Sequence, residues 1–198
     1  MRTGPSWRAA RTFRFGLAPR RSYADGVTIH SEHPFLPPEG ERDPVRRFRG
    51  RLPQAVTVCT AGAGRSRAGL TVSSLVVAEG DPAHVLLLVD EDSDLADALV
   101  VGAPFVVNVV GARDRALADP FAGTAPAPGG PFRLGTWTET PYGPVLASAT
   151  AWLGARVARE PRQVGWPLLV EGVVETVEIA DDAPALAHLR GRYVDLGG

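Results

Sequence analysis

Arg67-Ala68-Gly69-Leu70-Thr71-Val72-Ser73-Ser74 lies between two apolar runs, Ala55-Val56-Thr57-Val58-Cys59-Thr60 before it and Leu75-Val76-Val77-Ala78 after it. A turn-rich break, Ala61-Gly62-Ala63-Gly64, separates it from the first run. Valine-rich runs bounded by glycine are strand signals, so the stretch reads as the start of a strand. It carries three hydroxyls and a glycine. Short hydroxyls beside a residue without a Cβ leave a flat, polar ligand room to approach the backbone closely.

Working outward, the same signals predict strands over residues 56–60, 71–78, 84–89, 105–110, 145–158 and 168–179. Two interludes read as helices. Ser93 is a good N-cap for residues 93–99, with Leu95 and Leu99 at helical spacing, and residues 113–121 carry leucine and alanine in the same way. Short helices are predicted at residues 45–49 and 183–189. Many strands and few helices give a mostly β chain with a Greek-key-like barrel rather than a doubly wound sheet. Residues 123–131 are too rich in proline and glycine for an element and are expected to form a rim or lid.

The length, 198 residues, suits one domain with an appendage. Residues 1–44 read as an arginine- and proline-rich, partly disordered extension, and residues 45–198 as the folded domain. The first 22 residues carry six arginines and no acid, a composition shared with organelle-targeting peptides, and lack the apolar core of a secretory signal. We read them as a disordered leader or an over-extended start, outside the fold in either case. No apolar run approaches the roughly 18 residues of a membrane span. A net charge of −1 argues against a nucleic-acid binder driven by phosphate neutralisation. All 21 basic residues are arginine. Lysine Schiff-base chemistry is therefore excluded, and anions must be met by arginine, hydroxyls or backbone N–H groups.

Several motifs fail on inspection. Gly62 and Gly64 have dinucleotide-fingerprint spacing, but Arg67 stands where the third glycine belongs and a strand follows, so the segment reads as a hairpin turn. Gly64-Arg65-Ser66-Arg67-Ala68-Gly69 misses nucleophile-elbow spacing by one residue, and no acid–histidine set supports a triad. His30 and His33 lack further ligands nearby, so no metal site is expected, and His84 begins a strand in a structural role. Cys59, the single cysteine, reads as a buried small hydrophobe. It cannot form an intramolecular disulfide, which agrees with a cytoplasmic protein.

The pieces in order resemble a known family. They are Leu52-Pro53 and Val56-Thr57-Val58, then Gly69-Leu70-Thr71-Val72-Ser73-Ser74, Asp81-Pro82 and Ser93. Phe105-Val106-Val107-Asn108-Val109, Leu117-Ala118 and Phe121-Ala122-Gly123 follow, then Gly143-Pro144-Val145-Leu146 and Arg190-Gly191-Arg192-Tyr193. This order is similar to the flavin reductase family, over about residues 46–196. The resemblance implies an FMN-binding split β-barrel of Greek-key type, a homodimer, and FMN or FAD held near the subunit interface. NAD(P)H would be the co-substrate and reduced flavin would pass to a partner monooxygenase.

It also implies cofactor contacts from Gly69, Leu70, Thr71, Val72, Ser73 and Ser74. Asp90 and Ser93 would lie at the phosphate end, Arg67 as a charge partner, and Asn108 and Phe121 near the cofactor or its rim. On the hydride-donor side stand Gly165, Trp166, Arg192 and Tyr193. There the chain departs from the family: a Gly-Asp-His element is replaced by Gly165-Trp166-Pro167. Two readings stay open beside the reductase: a flavin or deazaflavin protein with another donor or acceptor, and a non-catalytic flavin-binding module.

Overall fold

The computed structural model describes residues 43–180, 184 and 186–196. Residues 1–42, with His30 and His33, lie outside the described part. Helix α1 (Pro44–Arg49) is capped by Asp43, whose carboxylate accepts from the Val45 and Arg46 amides at 2.9 and 3.0 Å. Strands β1 (Gln54–Ala55), β2 (Thr57–Ala61), β3 (Ala68–Val72), β4 (Leu75–Ala78) and β5 (His84–Val89) follow. Helix α2 (Asp94–Ala98), strand β6 (Pro104–Val109) and helix α3 (Arg115–Phe121) come next. The hairpin β7 (Trp137–Thr140) and β8 (Gly143–Leu146) then leads to β9 (Ala151–Val157). Strands β10 (Arg162–Gln163), β11 (Leu168–Ile179), β12 (Leu186–Leu189) and β13 (Arg192–Asp195) complete the chain.

The main sheet runs β3-β2-β6-β9-β11-β5-β4, with β10 folded onto β11 and each pairing antiparallel. Strands β3 and β4 are consecutive in the chain yet lie at opposite ends of this path. Ser73 and Ser74 alone connect them, so the sheet curls until its ends approach. The backbone N–H of Leu88 donates to the Ser74 carbonyl at 2.9 Å and ties this corner to β5. That closure makes the barrel, and it breaks the single strand expected over residues 71–78. A smaller sheet, β1-β12-β13, stands beside it.

The curl produces two apolar cores that share β2. Cys59, Leu87, Leu95, Phe105, Val107 and Val170 belong to the one inside the barrel. Val56, Val58, Leu117, Phe121, Leu146 and Leu186 belong to the other, where α3 and β8 cover the outer face. With both faces covered, β2 is buried along its length. Its two threonines are tolerated there because each hydroxyl is bonded: Thr57 donates to the Val72 carbonyl, and Thr60 to the Pro144 carbonyl at 2.6 Å. Cys59 is fully buried, and desolvation pushes its thiol up to about 12. It is an inert core residue, as expected.

Two further expectations are corrected. Residues 145–158 form β8 and β9 with a break between, because β8 pairs with β7 while β9 joins the main sheet. The short helix expected over residues 183–189 is instead strand β12, with residues 183 and 185 outside the described part. Its pairing partners β1 and β13 are remote or follow a turn at Arg190-Gly191, where φ is 51° and 77°. Helical spacing of alanine and leucine cannot register such tertiary pairing.

Candidate functional site

The corner between β3 and β4 opens onto a groove of about 690 Å³. Ser73 and Ser74 stand on one side with Leu75 and Val76, Leu88 and Leu169 line it from β5 and β11, and Arg49, Leu52 and Gln54 approach from the entry segment. Strand pairing explains this convergence: Leu75 sits opposite Leu87, and Leu88 opposite Leu169. Hydroxyls, one guanidinium and apolar walls thus share one concave surface. Such a surface takes a flat ligand with an apolar body and a polar edge.

Of the expected cofactor residues, Ser73 and Ser74 line the groove. Their neighbours lead into it but face the cores. Leu70 and Val72 pack inside the barrel. Thr71 donates its hydroxyl to the Ala118 carbonyl of α3 at 2.7 Å. Gly69 lies under aromatic rings: a Cβ there would come within 2.7 Å of Phe121 Cε1 and 3.0 Å of Phe132 Cζ. Strand alternation sends these residues in turn to opposite faces, both already covered.

Phe121 is buried, with its ring edge-on to Phe132 at 5.0 Å and Trp137 at 5.4 Å. Phe132 comes from the turn that follows the long loop after α3 and packs against the outer core, while residues 123–131 themselves are exposed or half-buried. Arg67 stacks 4.9 Å over the Phe132 ring and lies 3.7 Å from the Glu139 carboxylate. Asn108 is fully buried. Its amide donates to the Val58 carbonyl at 3.0 Å and accepts from the Leu146 amide at 2.8 Å, bracing β2, β6 and β8. Asn108 and Phe121 were expected near the cofactor; both sit inside the outer lobe, where burial of an amide requires these bonds.

Asp90 and Ser93 shape the turn after β5. The Ser93 hydroxyl donates to the Asp90 carbonyl at 2.7 Å and accepts from the Ala96 amide at 3.2 Å, the N-cap of α2. This turn reaches the β10–β11 hairpin, where Gln163 donates to Glu91 at 3.2 Å and Val89 pairs with Leu168. Gly165, at φ 68°, turns that hairpin, and Trp166 projects from it with 89% exposure.

Arg192 and Tyr193 sit elsewhere, on β13 in the small sheet. The Tyr193 hydroxyl donates to Asp119 at 2.7 Å, its ring lies edge-on to His188 at 5.5 Å, and Arg115 stacks on it at 5.3 Å. Burial and then the Asp119 carboxylate push its phenol well above the usual range. Of the four residues expected on one hydride-donor side, Gly165 and Trp166 therefore lie in the β10–β11 turn and Arg192 and Tyr193 on the small sheet.

Arg49 was missed by the sequence. It stands in a run of arginines and has no local mark; only the fold seats it at Ser74, 3.0 Å from the hydroxyl. His84, as expected, has a structural partner, Glu171 at 2.9 Å. No metal-binding cluster occurs among the described residues.

Comparison with known proteins decides the family. Residues 49–197 match the model of the flavin reductase like domain. The chain belongs to that family. It is 30% identical over 162 residues to the reductase component of an FADH(2)-dependent resorcinol hydroxylase from Rhizobium sp., covering 80% of this chain and 89% of that protein. An NADH-dependent FMN reductase of Streptomyces nodosus subsp. asukaensis is 32% identical over 162 residues, 80% of this chain and 86% of its own. Among solved structures, the NADH:FAD oxidoreductase of Streptomyces globisporus superposes with a TM-score of 0.69 at 27% identity, covering 80% of this chain and 95% of its own. The same oxidoreductase has been solved in complex with NAD and FAD fragments. The chain thus has the split-barrel fold of the flavin reductases.

Proposed function

We propose that this chain binds FMN or FAD in the groove at Ser73-Ser74 and reduces it with NADH or NADPH. The observation that carries this reading is the convergence of Ser73, Ser74 and Arg49 with the apolar walls Leu75, Leu88 and Leu169. The residues fit the group: short hydroxyls and a guanidinium suit the polar edge and tail of a flavin, and the leucines suit its ring system. When bound, the flavin would supply the redox chemistry as the acceptor of the nicotinamide's hydride. The chain's part is to orient the ring against the donor and to keep water from the apolar walls. Neither the Trp166 indole nor the Pro167 ring exchanges a proton, so no side-chain acid or base is assigned at that hairpin.

Reduced flavin would serve a separate monooxygenase, as the name of the resorcinol hydroxylase reductase component says of that relative. A cytoplasmic location fits the lone, buried Cys59, and among the described residues no helix is long and apolar enough to cross a membrane.

A homodimer is supported by the terminal strand β4, whose outer edge is unpaired among the described residues and whose Val76 and Val77 are 63% and 50% exposed. Trp166 belongs to the same reading, as a ring offered to the second subunit or to a bound nucleotide. Sedimentation of the full chain is expected to give twice the monomer mass; a monomer at micromolar concentration would refute the dimer.

Anaerobic stopped-flow tests the reductase. The flavin absorbance of the loaded protein is expected to bleach on mixing with NADH or NADPH. A flavin that stays oxidised with both nucleotides in excess rules the reductase out. The Gly165-Trp166-Pro167 replacement would then favour the second reading, a flavin or deazaflavin protein with another donor or no turnover.

A further inference from the structure

Among the described residues lining the groove, Arg49 alone carries a charge. It ends α1, a helix that buries none of its residues. One of its terminal nitrogens donates to the Ser74 hydroxyl at 3.0 Å. No ion pair engages it among the described residues. The other N–H groups of its planar fork therefore remain for a ligand or water, in the geometry that suits phosphate oxygens.

The turn after β5 offers a phosphate much less. Asp90, Glu91, Asp92 and Asp94 surround Ser93 in sequence. The Ser93 hydroxyl already donates to the Asp90 carbonyl and accepts from the Ala96 amide. A dianion brought there meets like charges and a hydroxyl in use. The α2 helix behind it has five residues, too few to offset that repulsion.

Resting on the reading of the groove as a flavin site, we propose that Arg49 and the Ser74 hydroxyl together hold the phosphate of a nucleotide ligand. The phosphate is the flavin's own or belongs to the pyrophosphate of the nicotinamide donor. In the first case the site selects FMN over riboflavin. The ring system lies along the leucine walls, and its phosphorylated tail runs toward α1, away from the acidic turn.

His188 provides an independent reporter. Burial and the Arg49 charge lower its pKa, and the Asp119 carboxylate on α3 opposes them. The Tyr193 ring covers it from β13, with its hydroxyl on Asp119. A phosphate at Arg49 offsets the cation that depresses the imidazole, so its pKa rises on binding.

Flavin fluorescence titration of the full chain with FMN and with riboflavin tests the proposal, using wild type, Arg49→Gln and Arg49→Lys. Because Arg49 is exposed on a helix that buries nothing, both variants are expected to fold. Arg49→Gln is expected to weaken FMN about tenfold and leave riboflavin unchanged. Arg49→Lys is expected to restore part of the preference. The His188 pKa, followed by NMR, is expected to rise with FMN and not with riboflavin.

If the phosphate is the donor's, Arg49→Gln instead raises the KM for NADH about tenfold with riboflavin as acceptor, and FMN binding is unchanged. FMN affinity and the KM for NADH both unaffected by Arg49→Gln would overturn the proposal and leave the flavin site standing. A wild-type protein that binds neither flavin overturns the groove's assignment and this proposal with it.

Discussion

Replacing Ser73 and Ser74 together by leucine is expected to raise the flavin dissociation constant by about two orders of magnitude, or roughly 2.7 kcal/mol. Two hydroxyl partners are lost, each worth about 1 kcal/mol, and two larger side chains enter the groove. The fold is expected to survive. Both serines are half-exposed, and the bond that ties the corner to β5 uses the Ser74 carbonyl, which leucine keeps. Fluorescence titration measures the affinity, and circular dichroism the fold. Unchanged affinity in a folded double variant would place the flavin somewhere other than this corner.

Phe105→Ala is expected to destabilise the barrel by about 3–5 kcal/mol, a large share of the roughly 5–15 kcal/mol that holds a domain folded. Phe105 is fully buried. Its ring fills the space that Gly172 leaves open on β11: a Cβ at Gly172 would come within 2.6 Å of Phe105 Cζ. Removing the ring leaves a cavity between β6, β9 and β11.

The same contact predicts a coupling. Gly172→Ala destabilises the wild type, because the buried ring has little freedom to move. It destabilises the Phe105→Ala protein far less, because the added methyl enters the cavity. Urea denaturation of the four proteins closes this cycle. Additive effects, or a loss below about 1 kcal/mol for Phe105→Ala, would mean that the ring is not seated as described.

Strand content was legible because the runs that became β2, β5, β6 and β11 are valine- and leucine-rich and bounded by turn residues. Ser93 was legible as a cap because capping is local. The hairpin at Gly62 and Gly64 was legible because both take positive φ, 73° and 55°, as glycine readily does. The helix expected over residues 183–189 failed because β12 owes its conformation to β1 and β13, and β1 lies more than a hundred residues earlier in the chain.

At the site, the segment from Arg67 to Ser74 stood out through its composition, but composition does not tell which face of a strand is already covered. Gly69 and Thr71 proved to lie against Phe121, Phe132 and Ala118. Asn108 proved to be a brace between strands. Arg49 has no neighbours in sequence that set it apart from Arg46, Arg47 or Arg51.

By itself, then, the sequence determined the secondary-structure class and the family through its ordered short motifs. Those properties reside in local residue types. The tertiary structure decided that the chain turns at Ser73-Ser74, that this corner shares a groove with Arg49, Leu88 and Leu169, and that Tyr193 belongs to the small sheet and not to the Trp166 hairpin. The reason is closure of the barrel. The curl brings the two ends of the sheet together at Ser73-Ser74 without pairing them, and residues distant in sequence become neighbours only when the strand pairings along the sheet have formed.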